Sequence, residues 1–250
     1  MKRLLEILTF RRPHGSAGEE RMVEKFILPH NPIKFTDDKG EVLAYAVTVG
    51  EGAAPGKVLF SCHVDTMHDI RNLGQVYQNV CWDTEMQIAY KGEPNKKKKK
   101  HRPVECLGAD DGVGVWIFLE MIDAGVPGVY VFHRGEERGC IGSSGMAKHH
   151  AEYLKQFDYA IAIDRKRDCS VITHQAHGRC CSDAFAEALA KAINADYVSF
   201  TLAPDDTGVY TDTAEYVDLI PECTNVSAGY LDEHTAKESL DLSYVEWLRG

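Results

Sequence analysis

Four apolar runs in this chain each lead into a histidine or a carboxylate: VLF before His63, VYVF before Glu136, YAIAI before Asp164 and TNVSAGY before His234. Short runs rich in Val, Ile, Tyr and Phe read as strands, so these polar residues fall at or near strand ends. In an open α/β sheet the carboxyl ends of the strands border one crevice, where ligands bind. Independent surface turns would not follow apolar runs so regularly.

Five segments carry the chemistry: SCHVDT (61–66), GADDGVG (108–114), RGEERG (134–139), AIDR (162–165) and DEHT (232–235). Two divalent ions a few ångströms apart need a carboxylate that bridges them and nitrogen and oxygen ligands that cap each from outside. His63 is the candidate imidazole ligand. Asp65, two residues on and so on the same face of an extended strand, could hold it through a hydrogen bond. Asp110 is the candidate bridge. Of Glu136 and Glu137, one carboxylate can coordinate metal while its neighbour takes a proton from water. Asp164 and His234 complete the two shells. Taken singly, each motif has an ordinary reading: His-x-Asp as a hydrogen-bonded pair, two adjacent glutamates as a solvated turn, Asp-Asp-Gly as a turn or helix cap. Their combination and order distinguish them.

Strands are expected at 57–62, 129–133, 159–163 and 171–174, and helices at 112–124, 182–194 and 240–248, with Ser182 as an N-cap and the aspartates before Gly112 capping the first. The opening residues 1–10 read as an amphipathic helix, since Glu6 interrupts the apolar positions and no small-residue cleavage site follows. This alternation predicts an α/β fold, a three-layer α/β/α sandwich with a mixed, mostly parallel central sheet.

With 250 residues, 44% of them hydrophobic, the chain can bury one full core, and a single catalytic domain over 1–250 is the economical expectation. Lys and Arg number 28 against 38 Asp and Glu, a formal charge of −10, which argues against a general nucleic-acid or anionic-membrane binder. No run approaches the ~18 apolar residues of a membrane span. Eight scattered cysteines without a Cys-x-x-Cys read as reduced thiols in a cytoplasmic protein, not a cysteine zinc site. The lysine-rich stretch 92–103, GEPNKKKKKHRP, reads as a solvated loop insertion; without interleaved aromatics it is a weak nucleic-acid signal.

The segments LGADDGVGV and GEERGCIGS give the chain a resemblance to the co-catalytic di-zinc exopeptidases and amidohydrolases, which include peptidase T, bacterial aminopeptidases and deacylases. The resemblance spans nearly the whole chain, its helix, loop and helix opening included. It implies that His63 and Asp164 hold one metal, Glu137 and His234 the other and Asp110 both, with Glu136 as general base. The ions implied are two divalent cations, zinc first, with cobalt or manganese as alternatives. A cis peptide between Asp110 and Asp111 is implied as well. Two-domain members insert a lid after the aspartate that Asp164 matches; here the interval to His234 is needed for core elements, so no lid domain is expected.

The expected chemistry is metal-assisted amide hydrolysis. Single-domain relatives use a tyrosine to help hold the oxyanion, and Tyr210 is the candidate here. Gly229 and Tyr230 are expected to shape the cleft through backbone contacts. The substrate is a short peptide or an N-acyl amino acid. Without a lid to grip a substrate carboxylate, an aminopeptidase leads. A deacylase, carboxypeptidase or dipeptidase, with Arg165 or Arg179 pairing with a carboxylate, is the alternative, and a catalytically silent binding protein is a second. A homo-oligomer is compatible with all three.

Overall fold

A computed structural model describes residues 1–50, 57–92, 105–175, 178–194 and 199–250. In chain order come α1 (Lys2–Leu8), α2 (Ala17–Phe26), β1 (Ile33–Thr36), β2 (Val42–Val49), β3 (Val58–His63), β4 (Val80–Asp83) and β5 (Ile88–Lys91). There follow α3 (Ala109–Asp123), β6 (Gly128–His133), α4 (Ile141–His149), α5 (Ala151–Leu154), β7 (Tyr159–Arg165), β8 (Ser170–Ile172), β9 (His174–Gln175) and β10 (Gly178–Arg179). The chain ends with α6 (Asp183–Ile193), β11 (Ala203–Asp205), β12 (Glu222–Ser227), β13 (Tyr230–Leu231), β14 (Ser239–Asp241) and α7 (Leu242–Arg249).

Eight strands form the central sheet in the order β1-β2-β6-β3-β7-β12-β8-β11. The middle of it, β6-β3-β7-β12, is parallel, while β1 and β2 add an antiparallel edge. Alternation along the strands sends side chains to two cores: Tyr130 and Phe132 of β6 join Leu4, Trp116 and Val245 on one face, and Val131 joins Leu43, Met146 and Phe157 on the other. Helices α1, α3 and α7 therefore cover one side and α4 and α5 the other, which is the three-layer arrangement expected. Helix α3 is buried from Val113 to Leu119 because it is apolar nearly all round. Truncating its Phe118 to Ala should cost ~3–5 kcal/mol.

The expected helix 182–194 is α6, with the Ser182 hydroxyl accepting the Phe185 N–H. The expected strand 171–174 divides into β8 and β9, and the chain's end is helical from Leu242. His234 departs from the strand-end expectation. The run before it splits into β12 and β13, and His234 lies in the turn between β13 and β14, where Asp232 and His234 take φ of 54° and 62°. A small sheet, β13-β14-β5-β4, carries that turn. The lysine run 96–100 lies outside the described residues.

Candidate metal centre

His63 ends β3, between the parallel neighbours β6 and β7. Its Nδ1 is 3.1 Å from the carbonyl oxygen of Asp65, and its Nε2 is 3.0 Å from Asp110 Oδ1 and 3.5 Å from Asp164 Oδ1. With Nδ1–H donated to the carbonyl, a neutral ring turns a bare nitrogen toward two carboxylates. Only a proton or a cation stabilises that arrangement. The expectation for Asp65 is corrected accordingly: its carbonyl takes the ring N–H, whereas its carboxylate is 3.7 Å from Nδ1. That carboxylate instead accepts the backbone N–H groups of Gly135, Glu136 and Glu137 at 2.9, 3.1 and 3.2 Å, holding the paired-glutamate turn.

The second oxygen of Asp110 faces the other way. Asp110 Oδ2 is 3.1 Å from His234 Nε2, which is 3.0 Å from Glu137 Oε1. Two donor groups thus converge on one shared carboxylate: His63, Asp110 and Asp164, and Asp110, Glu137 and His234. The peptide between Asp110 and Asp111 is cis, as the resemblance implied. Both aspartates have non-helical dihedrals, and Asp111 Oδ1 caps Gly114 N at 2.9 Å. Glu238 holds the same stretch: its carboxylate accepts the N–H groups of Leu107, Gly108, Ala109 and Asp110 at 2.7 to 3.1 Å.

Asp164 is fixed from three sides. Thr211 donates its hydroxyl to Oδ2 at 2.6 Å, Asn225 Oδ1 accepts the backbone N–H at 2.8 Å, and the Tyr230 hydroxyl is 2.9 Å from the Asp164 carbonyl oxygen. The Tyr230 hydroxyl thus supports a candidate ligand, and the backbone of Gly229 and Tyr230 is tied to that of Arg167 at 2.8 and 2.9 Å. Tyr210 lines the same cavity as Asp110, Glu136 and Asp164, and its hydroxyl donates to Glu215. The cavity, about 320 Å³, is lined by Arg165 as well; Arg179 is instead paired with Asp183 at 2.7 Å.

The electrostatics show why a cation fits. Asp110, Asp111, Glu136, Glu137, Asp164 and Asp212 cluster around buried His63, with His234 at the exposed rim. Burial pushes Glu136 up to about 9 and both Glu137 and Asp212 up to about 7, and it raises Asp111 and Asp164. Asp110 and Glu137 hold His234 at about 11. Burial alone would lower His63, yet Asp164 and Asp110 raise it well above its usual range. The protein groups alone carry a surplus of acid, which bound cations offset. Glu137 Oε1 is buried without a hydrogen bond although His234 Nε2 is 3.0 Å away, so the two atoms are close but not aligned as donor and acceptor. Nitrogen and carboxylate ligands converging in this way suit zinc, cobalt or manganese.

Sequence reasoning missed Glu238, Thr211 and Asp212. Asp212 is buried, both its carboxylate oxygens lack a hydrogen bond, and His133 Nδ1 lies 3.4 Å from Oδ2. Burial lowers His133 to about 3, and its Nε2 meets the Tyr216 hydroxyl at 2.6 Å. A lone Glu or Thr after a polar stretch carries no periodic signal, so only the fold brings these residues to the centre.

Residues 45–238 match the family described as Peptidase family M28. Among solved structures, the chain is similar to the aminopeptidase PepT from Bacillus cereus, with a TM-score of 0.73, 11% identity, and 99% of this chain and 95% of that one covered. It is also similar to a tripeptidase from Staphylococcus aureus (TM-score 0.67, 13% identity, 99% and 94% covered) and to the TET1 peptidase of Pyrococcus horikoshii (TM-score 0.61, 18% identity, 98% and 97% covered). At such identities the likeness shows the fold. No curated protein matches the sequence.

Proposed function

The chain belongs to peptidase family M28, a metal-dependent hydrolase of peptides, and from that premise we propose that it is an aminopeptidase of short peptides working with two zinc ions. The observation that carries the reading is Asp110, whose two carboxylate oxygens face His63 on one side and His234 on the other. In the proposal His63 and Asp164 would hold one ion, Glu137 and His234 the second, and Asp110 would serve both. Bound there, two divalent ions would supply Lewis-acid chemistry that lowers the pKa of water from 15.7 toward about 7 and polarises the scissile carbonyl.

The protein's own residues do the rest. Glu136, buried beside the donor groups, takes the proton of the attacking water and passes it to the leaving amine. Asp65 fixes the turn that aims Glu136 and Glu137 by holding three successive N–H groups. Tyr210, on the cavity wall, is the proposed oxyanion partner. The acid-rich wall around Asp110, Glu136, Glu137 and Asp164 attracts a free α-ammonium group.

The proposal takes the chain as one catalytic domain with segment 92–103 as a surface insertion. The eight free cysteines support a cytoplasmic setting, and no helix among the described residues is long and apolar enough to cross a membrane. The TET1 relative assembles into a tetrahedron or a large octahedral shell, and on that likeness the proposal includes a homo-oligomer. Hydrolysis of Leu-Gly-Gly and its N-acetyl form, with zinc, cobalt or manganese added, tests the reading. A charge-assisted contact contributes ~1.5–3 kcal/mol, so the free peptide should be cleaved at least about tenfold faster in kcat/KM. Faster cleavage of the blocked peptide would make the chain a deacylase or carboxypeptidase, and no cleavage of either would leave a binding protein.

A further inference from the structure

The cavity that holds the acidic donors has a cationic corner. Arg165 follows the candidate ligand Asp164 directly on β7, and neighbours on a regular strand point to opposite faces. Here both line the cavity. The pairing of β7 with β12 explains how: Val226 is opposite Ile163 and Ser227 opposite Arg165, so Asp164 is an extra residue that breaks the alternation.

Arg165 is held without a direct ion pair, with Asp205 as the neighbouring negative charge behind Thr207. Its Nη2 donates to the Thr207 carbonyl and hydroxyl oxygens, each at 3.1 Å. Thr207 is itself fixed by Asp205 Oδ1, which accepts its N–H at 2.8 Å and its hydroxyl at 2.7 Å, while Asp205 Oδ2 accepts from Ser170. Arg165 makes no ion pair among the described residues, and its buried Nε has no hydrogen-bond partner. The adjacent Lys166 is already paired with Glu233 at 2.7 Å. On the same cavity wall Gln175 is 6% exposed and donates its amide to Thr213, and its Oε1 has no partner. A fixed guanidinium on the cavity wall matches a carboxylate, and the Gln175 amide beside it suits a peptide group.

We propose that Arg165 receives the free C-terminal carboxylate of the substrate, with Gln175 contacting its backbone. Amino and carboxyl ends are then both recognised within one cavity of about 320 Å³, which favours peptides short enough to span it. The carboxylate grip is then provided by β7 itself. The inference rests on the aminopeptidase reading for its orientation of the peptide.

The test compares Leu-Gly-Gly with its C-terminal amide on the zinc-loaded protein. The free acid should be preferred about 10- to 100-fold in kcat/KM, mostly through KM. In R165M and in R165Q, each checked for native melting, the preference should fall to near unity. Equal kinetics for acid and amide in the wild type, or a preference undiminished in either folded variant, overturns the proposal. Calorimetric binding of the same two peptides to E136Q separates this from the hydrolase reading. If the wild type cleaves neither peptide while E136Q binds acid over amide, the hydrolase reading fails and the Arg165 site stands; if E136Q binds both equally, the Arg165 site fails.

Discussion

Glu238 holds the backbone of Asp110: its Oε1 accepts the Asp110 N–H at 3.1 Å and that of Ala109 at 2.8 Å, while Oε2 takes Gly108 and Leu107. Glu238 lies four positions after His234, so the segment that brings one candidate ligand also fixes the candidate bridge. Glu238→Gln replaces one acceptor oxygen with an amide that faces N–H groups. Partners behind metal ligands commonly account for about 10–100-fold in affinity, and a loss of that size is expected at both ion positions, measured by chelator competition. Wild-type affinities in a folded variant would show that the clamp leaves the bridge unaffected.

The two donor groups share only Asp110. Asp110→Ala is therefore expected to lower metal content at both positions. His234→Ala should chiefly empty one, since His234 is close to Asp110 and Glu137 and not to Asp164. Metal analysis of the purified variants checks the difference, and an undiminished pair in Asp110→Ala rules out the bridge.

Glu19 stabilises the fold from a distance. It is fully buried and takes Arg134 in a two-bond pair, Nε and Nη2 each at 3.0 Å, just ahead of the paired-glutamate turn. Burial alone would raise its pKa, but His14 and Arg134 outweigh it and hold it below 4.5. Its contribution is therefore complete above pH 4.5 and is lost as pH falls through the lower folded value. Glu19→Gln leaves Arg134 without its counter-charge and should cost ~3–5 kcal/mol at neutral pH, with a smaller difference from wild type in acid. Denaturant melts at pH 7 and pH 3 measure both; a pH-independent difference contradicts the assignment.

What was legible in the sequence was whatever has a period or a local rule. The apolar runs gave β3, β6 and β7 because parallel strands buried on both faces are written as continuous Val, Ile, Tyr and Phe. Ser182 was legible as a cap because its hydroxyl bonds three residues on. His63, Asp110, Glu136, Glu137 and Asp164 were legible because they stand at strand or helix ends. The role of the Asp65 carboxylate was not, since its partners are backbone N–H groups some seventy positions away. Nor was the turn that carries His234, which depends on left-handed backbone at Asp232 and His234, or the extra residue in β7 that turns Arg165 into the cavity.

The central claim is that Glu136 moves the proton while Asp110 and its neighbours hold the ions. Glu136→Gln removes the proton acceptor and leaves every candidate ligand in place. The decisive measurement is kcat on Leu-Gly-Gly together with metal content in that variant. The account predicts an unchanged metal complement and a fall in kcat of at least about 10²–10⁴-fold. Near wild-type turnover in a metal-replete Glu136→Gln protein would contradict it.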